Sequence, residues 1–320
     1  LENIFTRIGV DLPRATLSYW VIKCHQLLLP LYELMLAIIR SYYIAAADES
    51  RLQVLHEPNR KAQDKSYMWC VAGGPPKQFC YAYHYAETRS HEVILELLGS
   101  FSGYLHCDGF PGYDTYVERV KKEQGIDVIQ VGCWYHCRRK FVEAAKASKQ
   151  AGLAHWMIKK MQKLAKIEEK AKAEQLSPEA IYNLRQTEAK PILAEIKEWL
   201  ALNKDKVPPQ SLIGKAIVYA TNQWVKLTNY FLDGLLENNN NNMERIMKPY
   251  ATGRKNWMFA DSVAGANAAA VLFSFIETCK YHKVDPFHWF KYVLTNIHNY
   301  NANNLRELLP FNIDPKKLYS

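Results

Sequence analysis

The stretch GYLHCDGFPGYDTYVERVKKEQGIDVIQVG, residues 103–132, decides the fold. An apolar run at 103–107 leads into Asp108, a helical pattern follows near 113–122, and a second apolar run covers 127–131. Apolar runs of this length on either side of a helical pattern predict a strand, a helix and a second strand. Asp108 therefore comes directly after a predicted strand.

The sequence before this stretch extends the pattern to a complete α/β sheet. Three β-rich runs and a short amphipathic helix precede residue 103, at 42–47, 67–71, 79–83 and 91–98. The resulting order (strand, strand, strand, helix, strand, helix, strand) indicates an RNase H-like fold, a mixed five-stranded sheet flanked by helices. The first run leads into Asp48, so we expect adjacent strands that end at Asp48 and Asp108 to place the two carboxylates side by side.

Both ends of the chain are predicted to be helical. Residues 1–40 show helical spacing interrupted at Gly9, with Pro13 in the first turn of a second helix. A helix, a short Gly-containing turn and a helix outline a helix-turn-helix-like segment, and two ordinary core helices fit the same pattern equally. Residues 284–320 are expected to form a C-terminal helical element.

A helical block interrupts the predicted α/β core. The core covers 41–145 and resumes at 233–283, and the charge-rich helical patterns between them predict an inserted all-helical subdomain at 146–232. Charged helix faces of this kind are usually solvated, so nothing in the block demands a catalytic role. The run of five asparagines at 238–242 predicts a turn, and a helix that carries Glu244 follows it.

Charge and cysteine content restrict the class of protein. The 320 residues carry a formal net charge of +9, which suits a polyanionic partner although basicity alone does not identify one. Seven cysteines without a Cys-x-x-Cys pair favour a reduced, intracellular setting. The longest apolar stretch, 27–39, is broken by Pro30 and Glu33 and is too short to span a bilayer, so we expect a soluble protein with no membrane partner.

Asp48, Asp108 and Glu244 are candidate ligands of a metal site that acts on phosphodiesters. Two hard divalent cations about 3.5–4 Å apart, bound by carboxylates, stabilise the attacking and leaving oxygens in such reactions. Neighbouring carboxylates repel each other without metal, and Mg²⁺ removes that conflict. The alternative from the residues alone is that all three are ordinary surface or turn acids.

Several blocks of sequence resemble one family of DNA-processing enzymes. The blocks are ADES at 47–50, LHCDGFPGY at 105–113, GCWYHCRRKF at 132–141, MER at 243–245 and GRKNWMF at 253–259. In these blocks, and from residues 9–17 near one end to 308–312 near the other, the chain resembles the DDE transposases of insertion-sequence family sixty-six.

This resemblance implies a function. It implies Asp48, Asp108 and Glu244 as a DDE triad that binds two Mg²⁺ ions, with Mn²⁺ as a substitute. The implied reaction is hydrolysis at the end of the mobile element, followed by attack of the freed 3′-hydroxyl on target DNA. The implied partners are the terminal repeats of the element, target DNA, further copies of the chain and accessory proteins encoded by the element. The implied location is the bacterial cytoplasm, in association with the nucleoid.

The sequence departs from the family pattern at one place before the glutamate. Relatives tend to have Asp-Asn-Asn there, and Asn239 takes the place of the aspartate. If Asn239 replaces a side chain that positions the glutamate helix or a metal-bound water, the enzyme is weakened or inactive. A DNA-binding relative without activity, and an RNase H-like nuclease without strand transfer, are therefore the rival functions.

A second group of candidates follows the fifth predicted strand. Cys133 and His136 form a Cys-x-x-His pair that is similar to a signature of several transposase families. Zinc usually needs four ligands and no second pair has suitable spacing, so we favour a structural or DNA-facing role for His136 over metal binding. Arg138, Arg139 and Lys140 are candidates for phosphate contacts, with a solvated basic face as the alternative.

A third group surrounds the glutamate. Arg245 is predicted to pair with an active-site carboxylate. Arg254, Lys255 and Trp257 combine positive charge with an aromatic plane, which suits contact with an unpaired base at the element's end. Trp257 followed by Met258 equally fits a plain core position.

Overall fold

The structure, a computed structural model, describes residues 2–147 and 152–318, without the side chains of 241, 242, 244–246 and 257. The strands are β1 Ile44–Leu52, β2 Val54–His56, β3 Ser66–Gly73, β4 Cys80–Ala86, β5 Gly103–Cys107, β6 Val128–Gly132 and β7 Ala260–Ser262. The helices are α1 Glu2–Arg7, α2 Arg14–Ser41, α3 His91–Leu98, α4 Pro111–Gln124, α5 Trp134–Lys146, α6 Leu153–Ala173, α7 Pro178–Leu184, α8 Lys190–Asn203, α9 Leu212–Asn222, α10 Trp224–Thr228, α11 Asn241–Trp257, α12 Val263–Tyr281, α13 Pro286–Asn296 and α14 Pro315–Leu318.

The chain divides into two compact units that are each built from separate segments. The first unit contains Leu1–Ser102, Glu118–Ile126 and Asn242–Ser320, and the second contains Gly103–Val117 and Asp127–Asn241. The domain boundaries expected from the sequence, at 40, 145, 232 and 283, remain predictions.

The predicted α/β class is confirmed by a mixed five-stranded sheet flanked by helices. In the first unit three strands are antiparallel in the order β4-β3-β1, and in the second unit β5 and β6 are parallel. All five strands lie close to their predicted positions. The sequence did not reveal the short parallel pair of β2 and β7.

The prediction that the first strand ends at Asp48 is wrong. β1 continues to Leu52, and its antiparallel pairing with β3 extends from Ala45↔Gly73 to Leu52↔Ser66. Asp48 is therefore in the middle of β1, opposite Cys70. The polar residues after Asp48 resemble a loop in the sequence, but strand pairing and the neighbouring side chains hold them in the sheet.

Helix α12 covers the edge strand of the first unit. The hydroxyl of Ser274 accepts a hydrogen bond from the backbone N–H of Tyr83 at 2.8 Å, and that of Thr278 accepts one from Tyr81 at 3.1 Å. Ser274 and Thr278, the two residues of α12 that accept these bonds, are fully buried. Two N–H groups of β4 that point away from β3, those of Tyr81 and Tyr83, therefore have partners, as buried backbone donors require.

We expect Ser274→Ala to lower the free energy of unfolding by about 1–3 kcal/mol, because the buried Tyr83 N–H would lose its acceptor. Urea unfolding measures this change. Thr295→Ala is the matched control. Like the hydroxyl of Ser274, that of Thr295 donates to the carbonyl four residues earlier in its helix. Unlike Ser274, Thr295 is exposed and accepts no hydrogen bond from a strand N–H. Equal losses for the two variants would contradict the role assigned to Ser274.

The N-terminal helices differ in length. Helix α1 has six residues with none buried, whereas α2 has 28 and runs through Pro30. Pro13 immediately precedes α2 instead of lying in its first turn. By length and composition, the whole of α2 could cross a membrane. The expectation that its apolar stretch is too short therefore does not hold for the complete helix. Eight residues of α2 are buried in the protein.

The helical insertion contains a buried arginine that joins three segments of the second unit. Arg185 begins a π-helical turn, Arg185–Ala189, and is 2% exposed. Its guanidinium forms two hydrogen bonds with the Glu168 carboxylate, at 2.9 and 2.7 Å. It also donates to the carbonyl oxygens of Tyr230, Asp233 and Leu236, at 2.7, 3.0 and 2.7 Å. Arg185 thus fixes the segment that precedes the asparagine run.

Serine hydroxyls cap two helices of the insertion. The Ser177 hydroxyl caps α7 by accepting from Ala180 N–H, with Pro178 at the first helical position, and Ser211 caps α9 in the same way. All seven cysteines are free thiols, and all but Cys24 are buried.

Candidate active site

In the first unit, one face of β1 carries Asp48. Side chains alternate along a strand, so Ala46, Asp48, Ser50 and Leu52 share a face. Leu52 belongs to the apolar core on this face, and so does Cys70, the cross-strand partner of Asp48. Burial, followed by the charge of Asp48, raises the pKa of the Cys70 thiol, as expected if the two side chains are close.

Helix α11, which carries Glu244, packs on this same face. Met243, Met247 and Tyr250 recur at helical spacing and are buried in the core that contains Leu52 and Cys70. The helix that carries Glu244 therefore covers the strand face that carries Asp48. The side chains of Glu244, Arg245 and Trp257 lie outside the described residues.

Arg254 connects the C-terminal end of α11 to β1. Its guanidinium donates to the Ser50 hydroxyl at 3.2 Å and to the backbone carbonyl of Arg51. Ser50 is two residues from Asp48 on the same face, so Arg254 helps to fix the helix against the strand. Its neighbour Lys255 is exposed. The DNA contacts expected for both cations remain predictions.

The acid next to Asp48 has a separate, structural environment. The Glu49 side chain is 2% exposed and forms an ion pair with Arg89. A buried carboxylate requires such a partner because desolvation disfavours its charged form. Asp48 is only half-buried, and its Oδ1 accepts a hydrogen bond from the Glu49 N–H at 2.9 Å. The backbone thus orients the Asp48 carboxylate.

In the second unit, Asp108 directly follows β5, as predicted. Its Oδ1 accepts a hydrogen bond from the backbone N–H of Phe110 at 2.9 Å, which closes an Asx turn and fixes the carboxylate. Asp108 is half-buried. It lies at the carboxyl end of a parallel strand, the edge where open α/β sheets bind ligands.

Helix α5 supplies the predicted basic residues. Arg138 and Lys140 are half-buried, and Arg139 is exposed with its guanidinium 5.3 Å from the centroid of the Tyr135 ring. The Lys140 ammonium lies 4.8 Å from the ring centroid of Tyr219, a residue of α9. Lys140 therefore lies between two helices of the second unit instead of on a fully solvated face.

The Cys133 thiol joins the asparagine run to the beginning of α5. Its sulfur accepts a hydrogen bond from the Asn240 N–H at 3.3 Å, and the carbonyl of Asn238 accepts from the Trp134 N–H at 3.0 Å. The side chain of Asn239 donates to that of Asn238 at 2.7 Å. These contacts hold the asparagine run against the beginning of α5, and the role expected for His136 remains a prediction. The run forms a turn only as far as Asn240, because α11 begins at Asn241.

His106 precedes Asp108 by two residues in β5 and is buried. Burial, and then the positive charge of Arg185, lowers the pKa of His106 to about 4. Between the unfolded pKa of about 6.5 and the folded value, the unfolded chain binds a proton that the folded chain does not. The contribution of His106 to the free energy of unfolding is therefore complete above pH 6.5 and is lost as the pH falls towards 4.

We expect wild-type protein to lose about 2–3 kcal/mol of unfolding free energy through His106 between pH 7 and pH 4.5. His106→Gln should lack this part of the pH dependence, and urea unfolding of both proteins at the two pH values measures the difference. His298→Gln is the control, because His298 is exposed and should leave the wild-type dependence intact. Identical pH profiles for wild type and His106→Gln would contradict the expectation.

The donor chemistry of the acids fits a hard divalent cation. Asp48 and Asp108 offer carboxylate oxygens, the ligands that Mg²⁺ prefers, and a backbone N–H orients each. Among the side chains that the structure describes, which do not include Glu244, no group of three His, Cys, Asp or Glu residues is arranged to hold a metal. The first two acids therefore suit the predicted ion by chemistry.

These elements define an α/β protein in which acids lie on β1, after β5 and on a covering helix. The family described as "Transposase IS66 family" matches residues 1–268, and "IS66 C-terminal element" matches residues 274–311. The chain belongs to the IS66 transposase family. This is the family that the sequence blocks resemble.

Two curated relatives come from Sinorhizobium fredii. "Uncharacterized protein y4jD" is 33% identical over 317 residues, which are 97% of this chain and 61% of that protein. "Uncharacterized protein y4qI" is 30% identical over 324 residues, or 98% of this chain and 59% of that protein. The chain thus spans about three fifths of the length of these relatives.

Proposed function

We propose that this chain is the catalytic part of a DDE transposase, which cuts DNA at the ends of an insertion sequence and joins those ends to target DNA. The proposal rests most directly on one arrangement. The face of β1 that carries Asp48 is covered by α11, whose buried Met243 directly precedes Glu244. Family membership supports the same reaction class.

Asp48, Asp108 and Glu244 would hold two Mg²⁺ ions. When bound, the ions supply charge stabilisation for the attacking and leaving oxygens of a phosphoryl transfer. The backbone hydrogen bonds to Asp48 and Asp108 fix both carboxylates before substrate arrives, which reduces reorganisation during the reaction.

The reaction has two steps that share one site. In the first, water attacks the phosphorus at the element's end, the bond from phosphorus to the 3′-oxygen breaks, and a 3′-hydroxyl is released. In the second, that hydroxyl attacks a phosphorus of target DNA and a target 3′-oxygen leaves. Both steps displace an oxygen from a phosphodiester, so one set of carboxylates serves both.

The basic residues would hold the DNA. Arg138, Arg139 and Lys140 are proposed to contact backbone phosphates, and Arg254, Lys255 and Trp257 to contact the element's end. Two ends must be processed together, which requires more than one copy of the chain. Accessory proteins encoded by the element complete the proposed set of partners.

The discriminating experiment incubates purified protein with a labelled terminal-repeat duplex and an unlabelled plasmid, in Mg²⁺ or in EDTA. Products in which the label is joined to plasmid, formed only with Mg²⁺, are expected. Cut duplex without joining would indicate a nuclease, and retarded but intact duplex would indicate a DNA-binding relative weakened at Asn239. Either result, or the absence of binding, would overturn the proposal.

A further inference from the structure

The residue after Asp108 packs against an aromatic side chain of the helical insertion. A Cβ atom added to Gly109 would lie 2.9 Å from Cε2 and 3.0 Å from the hydroxyl oxygen of Tyr219. Such a distance is too short for a real side chain, so the Tyr219 ring edge lies directly against the backbone of the Asp108 turn. Helix α9 thus brings a phenol to the turn that carries the proposed catalytic Asp108.

The chemistry of this phenol is that of a donor. Tyr219 is half-buried. A phenol has an ordinary pKa of about 10, so it carries its proton near neutral pH. A protonated phenol can donate a hydrogen bond to an anionic oxygen.

A second donor is adjacent to the first. The Lys140 ammonium lies 4.8 Å from the centroid of the Tyr219 ring, within the range of a cation–π contact. The contact occupies a face of the ring, so a base cannot stack on that face. A neutral O–H donor and a cation side by side fit an acceptor-only group with negative charge, and in DNA that group is a backbone phosphate.

We propose that Tyr219 and Lys140 together bind a DNA backbone phosphate beside Asp108, so that the helical insertion contributes directly to substrate binding. This inference rests on the proposed function, which makes Asp108 part of the catalytic site. Tyr219 donates its hydroxyl proton to a phosphate oxygen in a hydrogen bond, and Lys140 neutralises the charge. The insertion is then part of the active site as well as a structural element.

The test is equilibrium binding of the terminal-repeat duplex in Ca²⁺ buffer over a range of salt concentrations. Lys140→Gln should reduce the slope of log affinity against log salt by about one, and Lys140→Arg should retain it. Tyr219→Phe should weaken binding about fivefold without changing the slope, because only a neutral hydrogen bond is lost. In the Lys140→Gln background, Tyr219→Phe should weaken binding less than about twofold, since the two residues share a phosphate.

Matched controls are available in the same unit. Tyr182→Phe on α7 and Lys197→Gln on α8 remove the same groups from exposed positions and should leave affinity and salt slope unchanged. If both Tyr219→Phe and Lys140→Gln bound DNA with the affinity and salt slope of the wild type, the inference would be overturned. This holds even if their thermal stability had fallen, because a pair with a purely structural role would change stability and leave DNA binding unchanged.

The outcomes separate the inference from the proposed function. Wild-type protein that binds the duplex but never cuts it in Mg²⁺ would overturn the function, while the salt slope of Lys140→Gln would still support the phosphate site. Wild-type protein that cuts and joins DNA, with binding and cleavage unaffected by both variants, would overturn the phosphate site alone.

Discussion

Asp108→Asn is expected to reduce strand cleavage at least about a thousandfold, because the amide cannot supply the negative charge that holds the Mg²⁺ pair. Metal-assisted charge stabilisation contributes several kcal/mol to such reactions, and each 1.36 kcal/mol changes the rate about tenfold. The substitution keeps the size of the side chain and an oxygen that can accept the Phe110 N–H bond. The rate of single-turnover cleavage of the labelled duplex in Mg²⁺ measures the loss.

Asp114→Asn is a suitable comparison for this variant. Asp114 lies in the same unit, accepts a hydrogen bond from Gln130 at 2.8 Å and pairs with Lys226. It should affect stability more than cleavage, whereas Asp108→Asn should leave thermal stability and DNA binding close to wild type. Cleavage retained by Asp108→Asn would eliminate the proposed site, and Asp48→Asn should reproduce the loss if the acids act together.

Arg185→Met is expected to lower the free energy of unfolding by about 3–5 kcal/mol, because it leaves Glu168 without its cation and three carbonyl groups without their donor. Arg185 is almost completely buried, so water cannot replace these bonds without opening the insertion. Urea unfolding, followed by circular dichroism, measures the change.

The neighbouring ion pair of Lys170 and Glu188 is the control for Arg185. It is exposed on both sides, so Lys170→Met should leave the unfolding midpoint unchanged. The double variant Arg185→Met with Glu168→Leu should recover part of the stability, since an apolar pair removes the unpaired buried charge. A loss as small as that of Lys170→Met would show that Arg185 is not an anchor.

The strand positions could be predicted because their signal is local. The apolar runs around Asp108 and the helix between them follow directly from residues 103–132, and β5 and α3 have the predicted bounds. The end of β1 could not be predicted in this way. In the sequence, Glu49 has the character of a loop residue. In the structure it pairs with Arg89, forty positions away, and this ion pair allows the carboxylate to lie within the sheet.

Residues whose role depends on distant partners were missed. Arg185 lies in a charge-rich block that has the composition of a solvated face, and only the fold shows that Glu168 and three carbonyl groups surround it. Tyr219 has no sequence signal, because its significance comes from contact with Gly109, 110 positions earlier. Sequence patterns therefore indicated which residues are candidates, and packing identifies the residues that adjoin them.

The six buried thiols are divided evenly between the two units. Cys70, Cys80 and Cys279 belong to the first, and Cys107, Cys133 and Cys137 to the second. A thiolate attacks the alkylating reagent and must be reached by it, so each of these buried cysteines should react only when its surroundings open transiently. Mass spectrometry after timed alkylation would then measure how often each unit opens locally, from the alkylation rates of its own three cysteines. Cys24, which is only partly buried, would serve as a fast-reacting internal standard, and no engineered label is needed.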